Sequence, residues 1–409
     1  MSHKVVSRRR CSRVSVLDFF RPARIFTSTN EQNGTSGDDL FFAVAVGEDG
    51  SSVLAGESEM DFAVVKLDAD GNTLWHFQDG TDGEDVASGV VISPEDGSVV
   101  VVGSTQGDWD GTSSGEEDFA AFKLDSNGTL IWKWQDGTNY SDSMGAVAMV
   151  DNGVAICGTT DGSFGGPSAG SSDFVAIKLD DTRGGAEVWR WQAGSSENDG
   201  ATTIAAVGSA DVVIAGYTQG HFSGDNAGGE TADAVAVKLN GTDGNEIWRW
   251  QGGSDDADLV GGAAVQADGG IVLGGTTYGR WDPLSDEEAG ASVSYMAVYL
   301  TEDGQEFTNF QNGSGSEGNE LVFGVAAGLD GTVILAGFVD GTYAPEDVGT
   351  ADMPYFTDFL VVSLDTSIIA DNAPAGAPVE EDSADVLNVT PIIAWAASAV
   401  VAAFAGVAL

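Results

Sequence analysis

Apolar positions along this chain come in short bursts, each closed by a polar turn rich in glycine and aspartate. One burst occurs six times. It is first seen as Asp61-Phe62-Ala63-Val64-Val65-Lys66-Leu67, and recurs in the runs that begin at Asp118, Asp173, Asp233, Ser294 and Asp358, at spacings of 57, 55, 60, 61 and 64 residues. A second burst follows the first five: Leu74-Trp75-His76-Phe77-Gln78, Ile131-Trp132-Lys133-Trp134-Gln135, Val188-Trp189-Arg190-Trp191-Gln192, Ile247-Trp248-Arg249-Trp250-Gln251 and the weaker Phe307-Thr308-Asn309-Phe310-Gln311. Two more precede it, as in Gly89-Val90-Val91-Ile92, the turn Glu95-Asp96-Gly97, and Ser98-Val99-Val100-Val101-Val102-Gly103. Short β-branched and aromatic runs bounded by Asp-Gly or Asn-Gly turns read as hairpin strands. No stretch inside the repeats has helical period.

Each repeat thus holds four strands, here A (Gly-Val-Val-Ile type), B (Val-Val-Val-Gly type), C (Asp-Phe-Ala-Val type) and D (Trp-x-Trp type). A and B are almost continuously apolar, which suits strands covered on both faces. D alternates, with Trp132 and Trp134 on one face and Lys133 on the other, which suits an outer strand. Four antiparallel strands per unit, repeated radially, make a propeller blade. The fold class expected is all-β, a six-bladed β-propeller. Complete sets run from about Phe41 to Gln311, and a sixth, from about Val322 to Asp365, lacks D. Arg24-Ile25-Phe26-Thr27-Ser28 is the candidate strand that completes it and closes the ring, since Asn33-Gly34-Thr35 after it matches Asp79-Gly80-Thr81; seven blades are the alternative. Closure would remove exposed sheet edges. The expected domains are a basic leader at 1–23, the propeller at 24–366, an acidic Ala/Pro linker at 367–391 and an apolar tail at 392–409.

The pattern Asp-Phe-Ala-x-x-Lys-Leu-Asp, Asp-Gly-Asn, x-x-Trp-x-x-Gln, then Val-x-x-Gly-x-Thr resembles the β-propeller repeat family often described as seven-bladed, over roughly residues 24–365. The resemblance implies a secreted or surface protein without an assigned reaction. The chain departs from it in its six copies and its long acidic B–C loops.

Charge narrows the partners. The 409 residues carry 64 acidic and 16 basic side chains, a formal net charge of −48. Such a field repels phosphate backbones, which excludes nucleic acid as a partner. Cys11 and Cys157 make neither a disulfide framework nor a zinc site, and Cys157, inside an apolar run, reads as a small core residue.

Topology places the B–C and D–A loops at the same end of every blade, and those are the long, acidic ones. D–A loops carry Asp82, Asp85, Asp142, Asp199, Asp255 and Asp258. B–C loops carry Gly-x-aromatic motifs at Trp109 (flanked by Asp108 and Asp110), Phe164, Phe222, Trp281 and Tyr343. Loops on a rigid scaffold are the usual seat of function, so these thirteen residues are the candidate binding site. Set against this, and favoured over it, is the reading that each aromatic packs over the next blade as part of the repeat. Protein, glycan and Ca²⁺ are the candidate ligands; Ca²⁺ is the one candidate cofactor, on oxygen-ligand demand alone. Asp68-Ala69-Asp70-Gly71-Asn72 looks like the start of a calcium loop but lacks the downstream glutamate, and reads as a hairpin turn. His3, His76 and His221 have no nucleophile or metal-ligand spacing around them. The function expected is a non-catalytic, surface-anchored binding or structural module. The alternative is an extracellular enzyme on polysaccharide using an acid/base carboxylate pair.

Residues 1–23 are basic but make a poor signal peptide, because Asp18 interrupts the apolar run. At the other end, 392–409 is free of charge and follows a polar spacer. That is the layout of a lipid-anchor signal, with Ala375-Gly376-Ala377 as the attachment region, or of a short membrane helix. Sequons at Asn33, Asn127, Asn139, Asn240, Asn312 and Asn388 fit an extracellular-facing, membrane-anchored protein.

Overall fold

The computed structural model describes residues 39–365, apart from residues 112, 225, 226, 228, 230, 282–292, 313–318, 329–330 and 341–356. Six antiparallel sheets follow one another along the chain. The first holds β1 (Asp39–Val46), β2 (Ser52–Ser58), β3 (Asp61–Leu67) and β4 (Thr73–Asp79). The second holds β5 (Asp85–Ile92), β6 (Val99–Thr105), β7 (Asp118–Leu124) and β8 (Leu130–Asp136). The third holds β9 (Asp142–Val150), β10 (Gly153–Thr160), β11 (Asp173–Asp180) and β12 (Ala186–Ala193). The fourth holds β13 (Asp199–Val207), β14 (Asp211–Thr218), β15 (Asp233–Leu239) and β16 (Glu246–Gly252). The fifth holds β17 (Asp258–Val265), β18 (Ile271–Thr277), β19 (Ser294–Leu300) and β20 (Glu306–Asn312). The sixth has three strands among the described residues, β21 (Asn319–Ala327), β22 (Thr332–Asp340) and β23 (Thr357–Asp365).

Each sheet is a simple meander, and successive sheets meet through their first strands, β1 with β5, β5 with β9, and so on to β17 with β21. The A strands are therefore innermost, as the repeat predicts, and the architecture is a β-propeller of six blades. The expected closing strand at 24–28, the leader, the linker and the tail lie outside the described residues.

The valine runs have a direct reason. In β6, Val99 and Val101 pack into the core shared with blade one, beside Phe62 and Val64, while Val100 and Val102 pack into the core shared with blade three, beside Ile156 and Ile177. A strand between two blades has no wet face, so its sequence loses the alternation of a half-exposed strand. Cys157 lies in the same kind of position, fully buried. Burying one valine in this way contributes roughly 1.5–3 kcal/mol.

The outer strands carry a bulge. Register passes from Lys66↔Trp75 to Leu67↔Thr73, which makes Leu74 an extra residue; Ile131, Val188, Ile247 and Phe307 repeat it. A bulge re-aims the side chains beside it. Here it leaves Leu74, Ile131, Val188 and Ile247 exposed and turns the next residue, a tryptophan in the first four blades, onto the following blade. Trp75 Nε1 donates to the Ser126 carbonyl at 3.0 Å, Trp189 Nε1 to the Gly241 carbonyl at 3.1 Å and Trp248 Nε1 to the Glu302 carbonyl at 3.0 Å. Trp132 Nε1 reaches the Asp181 carboxylate at 3.0 Å. The lysine opposite each tryptophan grips the same neighbour: Lys66 on Gly97 O, Lys123 on Asp181, Lys178 on Gly241 O at 2.7 Å and Lys238 beside Glu302.

The receiving turn needs a glycine. Gly128, Gly185, Gly244 and Gly304 lie flat against these indoles at φ between 72 and 84°. A Cβ on Gly244 would stand 2.8 Å from the Trp189 ring. Blade five has Tyr299 and Thr308 where the others have lysine and tryptophan, and blade six has Ser363 at the lysine place.

Candidate binding face

One end of the disc carries only tight turns. At Asp68–Asn72 the Asp68 Oδ1 accepts from the backbone N–H of Asp70 at 2.9 Å and of Asn72 at 2.8 Å. The residues that resemble a calcium loop form a hairpin turn. The other end gathers the B–C and D–A loops.

A glutamine from each D strand organises that end. Gln135 Oε1 accepts from the N–H groups of Trp109 at 2.8 Å and Asp110 at 2.9 Å, while Nε2 donates to Gly107 O and Asp118 Oδ2, both at 2.8 Å. Gln192 holds Phe164, Gly165 and Gly166 in the same way and donates to Gly162 O and Asp173. Gln251 does so with Phe222, Ser223, Gly220 and Asp233, and Gln311 with Trp281 and Gly279. One side-chain amide thus satisfies backbone groups that a loop leaves without sheet partners.

Held this way, the loop aromatic turns inward. Trp109 of blade two is 6% exposed, with ring centroids 4.8 Å from Phe62 of blade one and 5.2 Å from Phe122 of its own blade. Phe164 meets Phe119 at 4.9 Å, Phe222 meets Phe174 at 5.3 Å, and Trp281 stacks on Trp250. Each therefore lies over the preceding blade and not over the next one as expected, because the glutamine of its own D strand folds the loop back that way. A cation from the D strand covers the other side in three of them: Lys133 over Trp109 at 4.7 Å, Arg190 over Phe164 at 4.0 Å and Arg249 over Phe222 at 4.4 Å. Such stacking contributes roughly 0.5–1 kcal/mol at a partly exposed site.

The candidate carboxylates divide into two sets. Asp82, Asp108, Asp110 and Asp255 are exposed. Asp85, Asp142, Asp199 and Asp258 are the first residues of β5, β9, β13 and β17, and all four are fully buried. They cap the loops before them: Asp85 accepts from Thr81 N, Asp142 from Thr138 N, Asp199 from Ser195 N and Asp258 from Ser254 N at 2.6 Å. Burial pushes the carboxyls of Asp85, Asp142 and Asp199 above the usual carboxylate range and that of Asp258 up to about 7; hydroxyl and amide donors pull the other way, and a neighbouring aspartate adds to the rise. Tyr343 lies outside the described residues, as do Asn33, Asn388 and the attachment region 375–377. Of the other sequons, Asn127 and Asn139 are exposed and Asn240 is half-buried; Asn312 ends β20, and its side chain lies outside those described.

Several residues escape a reading by loop. The glutamines are one set, although their return in every D strand was the signal for them. Asp118, Asp173 and Asp233, first residues of the C strands, are another. Tyr140 and Tyr278, 60% and 41% exposed on this end, are a third; neither recurs in the repeat. Among the described residues no group of three or more acidic, histidine or cysteine side chains is placed to hold a metal ion. No helix among them is long and apolar enough to cross a membrane.

No protein-family model matches the chain, and no curated protein matches it. Among solved structures it is similar to the hydrazine synthase of Kuenenia stuttgartiensis, at 11% identity over 76% of this chain and 79% of that one, with a TM-score of 0.50. It is also similar to BamB from Moraxella catarrhalis, at 16% identity over 73% of this chain and 80% of that one, with a TM-score of 0.36. A third is the N10 neuraminidase-like protein of a bat influenza A virus, at 8% identity over 80% and 96% of the two chains, with a TM-score of 0.40. At these identities the likeness concerns the fold.

Proposed function

We propose that this propeller is a non-catalytic binding module whose long-loop end engages a protein partner through that partner's basic side chains, with the apolar segment 392–409 attaching it to a membrane. The observation that carries the reading is how the end is divided. The aromatics and one set of carboxylates are spent on holding blades together. What is left facing outward is mainly acidic: Asp82, Glu84, Asp108, Asp110, Glu197 and Asp255, with Tyr140 and Tyr278 among them and Arg280 as the one exposed arginine or lysine of the described B–C loops. A carboxylate surface of this kind steers and selects cationic partners, and exposed tyrosines supply contact area at low entropic cost.

The test compares two quadruple variants of equal charge change. One neutralises Asp82, Glu84, Asp108 and Asp110 at the long-loop end; the other neutralises Asp70, Glu95, Asp243 and Asp303 at the short-turn end. Binding to an arginine-rich peptide is followed by calorimetry at several salt concentrations. The proposal expects the first variant to lose about tenfold or more and the second to stay near wild type. Equal losses would reduce the binding to bulk charge and refute it. Heat evolved with CaCl₂ or with a neutral glycan, and none with the peptide, would move the function to those ligands. Mass spectrometry of the native protein for tail removal and glycans tests the membrane attachment; an intact, unmodified C-terminus facing the cytosol would refute it.

A further inference from the structure

The buried aspartates come in pairs, one from each of two neighbouring blades. The backbone N–H of Asp142 donates to Glu117 O at 2.9 Å, that of Asp199 to Ser172 O at 3.0 Å and that of Asp258 to Ala232 O at 2.7 Å. Each bond sets the first residue of an A strand beside the first residue of the preceding blade's C strand, Asp118, Asp173 or Asp233. All six of these aspartates are 0% exposed. Asp61 and Asp85 make a similar pair with Asp61 half-buried.

Within a pair, one oxygen from each carboxylate faces the same point. Asp233 Oδ1 and Asp258 Oδ2 lie 2.6 and 2.7 Å from the place a Cβ on Gly253 would occupy. Gly80, Gly137 and Gly194 hold the same position in the other pairs. That point is one bond length from a glycine Cα, so no ion can stand there. The six to eight oxygens that calcium needs are likewise not assembled. Oδ1 of Asp118, Asp173, Asp233 and Asp258 has no hydrogen-bond partner, although it is buried. A buried carboxylate oxygen facing a second carboxylate is costly when both are ionised.

Among the described residues, the groups that act most strongly on Asp142, Asp199 and Asp258 include no cation, and Asp161 and Tyr217, which face the pair of Asp173 and Asp199, add none. Acting on Asp142 are Thr138 of the loop, Thr160 of β10 and Asp118 of β7. On Asp199 they are Ser195, Thr218 of β14 and Asp173 of β11; on Asp258, Ser254, Thr277 of β18 and Asp233 of β15. The other aspartate of each pair takes a glutamine amide and a loop N–H: Gln135 and Ser114 for Asp118, Gln192 and Ala169 for Asp173, Gln251 and Ala227 for Asp233. The fifth junction has Ser294 and Glu320 in these two places, both fully buried. It holds one carboxylate instead of two.

We propose that each of the three closed junctions binds one proton shared between its two aspartates, so that the propeller is tightened by acid and loosened by base on its long-loop side. The unfolded chain, whose aspartates titrate near 3.9, has released these protons by neutral pH. The native state therefore binds more protons than the unfolded one above pH 4, and stability falls as pH rises, through a window that for the junction of Asp233 and Asp258 reaches about 7.

The measurement uses the full chain in 1 M KCl, where the Debye length is about 3 Å and the repulsion among surface carboxylates is screened. Urea unfolding at pH 6 in weakly buffered solution, followed with an indicator dye, is expected to release protons, about one of them from the junction of Asp233 and Asp258. The melting temperature is expected to fall from pH 5 to pH 8. Asp233→Asn, whose amide stands in for the protonated acid, is expected to release about one proton fewer and to show a smaller fall. A wild-type chain that releases no protons, or melts no lower at pH 8 than at pH 5, overturns the proposal. So does a melting temperature at pH 8 that drops on adding EDTA, which would put a metal where the proton is assigned. The wild-type proton count decides the matter even if the variant does not fold.

Discussion

Gln135→Leu isolates what the glutamine hub contributes, because leucine keeps the size and removes every hydrogen bond. Four are lost, to Trp109 N, Asp110 N, Gly107 O and Asp118 Oδ2. Three are neutral and worth about 1 kcal/mol each net, and the one to a carboxylate about 1.5–3. The glutamine is half-buried, so water re-enters to satisfy part of the freed backbone, and about 3 kcal/mol of destabilisation is expected. At the entropy of unfolding of a chain this long that is a fall of roughly 4 °C in melting temperature. The loop 106–117 should also open, because Trp109 loses the amide that folds it inward. A glutamate-specific protease should then cut at Glu116 faster than in the wild-type chain. A melting temperature within 2 °C of wild type, with the loop cut no faster, would refute the idea that the glutamine holds the loop.

Other variants address the grips between blades. Gly244→Ala and Gly184→Ala both place alanine at φ 72°, yet the second meets nothing within 4 Å and the first meets the Trp189 ring. Thermal melts should show about 1 kcal/mol lost at Gly184 and about 3 at Gly244, where overpacking adds to the strain; equal losses would mean the indole does not rest on the turn. Lys178→Met should cost under 1 kcal/mol, since desolvating the ammonium offsets its bond and Trp189 still donates to Gly241 O. Adding Trp189→Phe removes the last side-chain donor to that carbonyl. The double variant should lose about 1–2 kcal/mol more than the sum of the singles, and an additive result would show that the two donors act separately.

The repeat carried the strands, their order and the blade count into view because each burst of apolar residues has the same cause in every blade. It also located the elaborated end, since loop length alternates with topology. It said less about which acidic residues face water. Asp82 and Asp85 stand three positions apart in one loop sequence, yet one is exposed and the other fully buried. The difference is that Asp85 begins a strand whose N–H bonds to the preceding blade, a contact that no local pattern encodes. The Gly-x-aromatic motifs were equally open to a surface reading. Their inward turn depends on Gln135, Gln192, Gln251 and Gln311, which lie about 30 residues away in a different strand. A retrospective signal exists: residues that recur at a fixed place in every copy, while their loop neighbours change, are responding to a shared contact.

The tryptophan and lysine grips between blades all point one way. Trp75 and Lys66 belong to blade one and hold turns of blade two, and the relation repeats through Trp248 and Lys238. The donor is always earlier in the chain than the turn it takes. During synthesis each finished blade would present an uncovered indole and a lysine, and the next turn to emerge would be the one that covers them. Assembly thus acquires a direction, from N- to C-terminus, like a zip fastener whose teeth engage in order. The replacements in blade five, Tyr299 and Thr308, mark where that succession of donors stops.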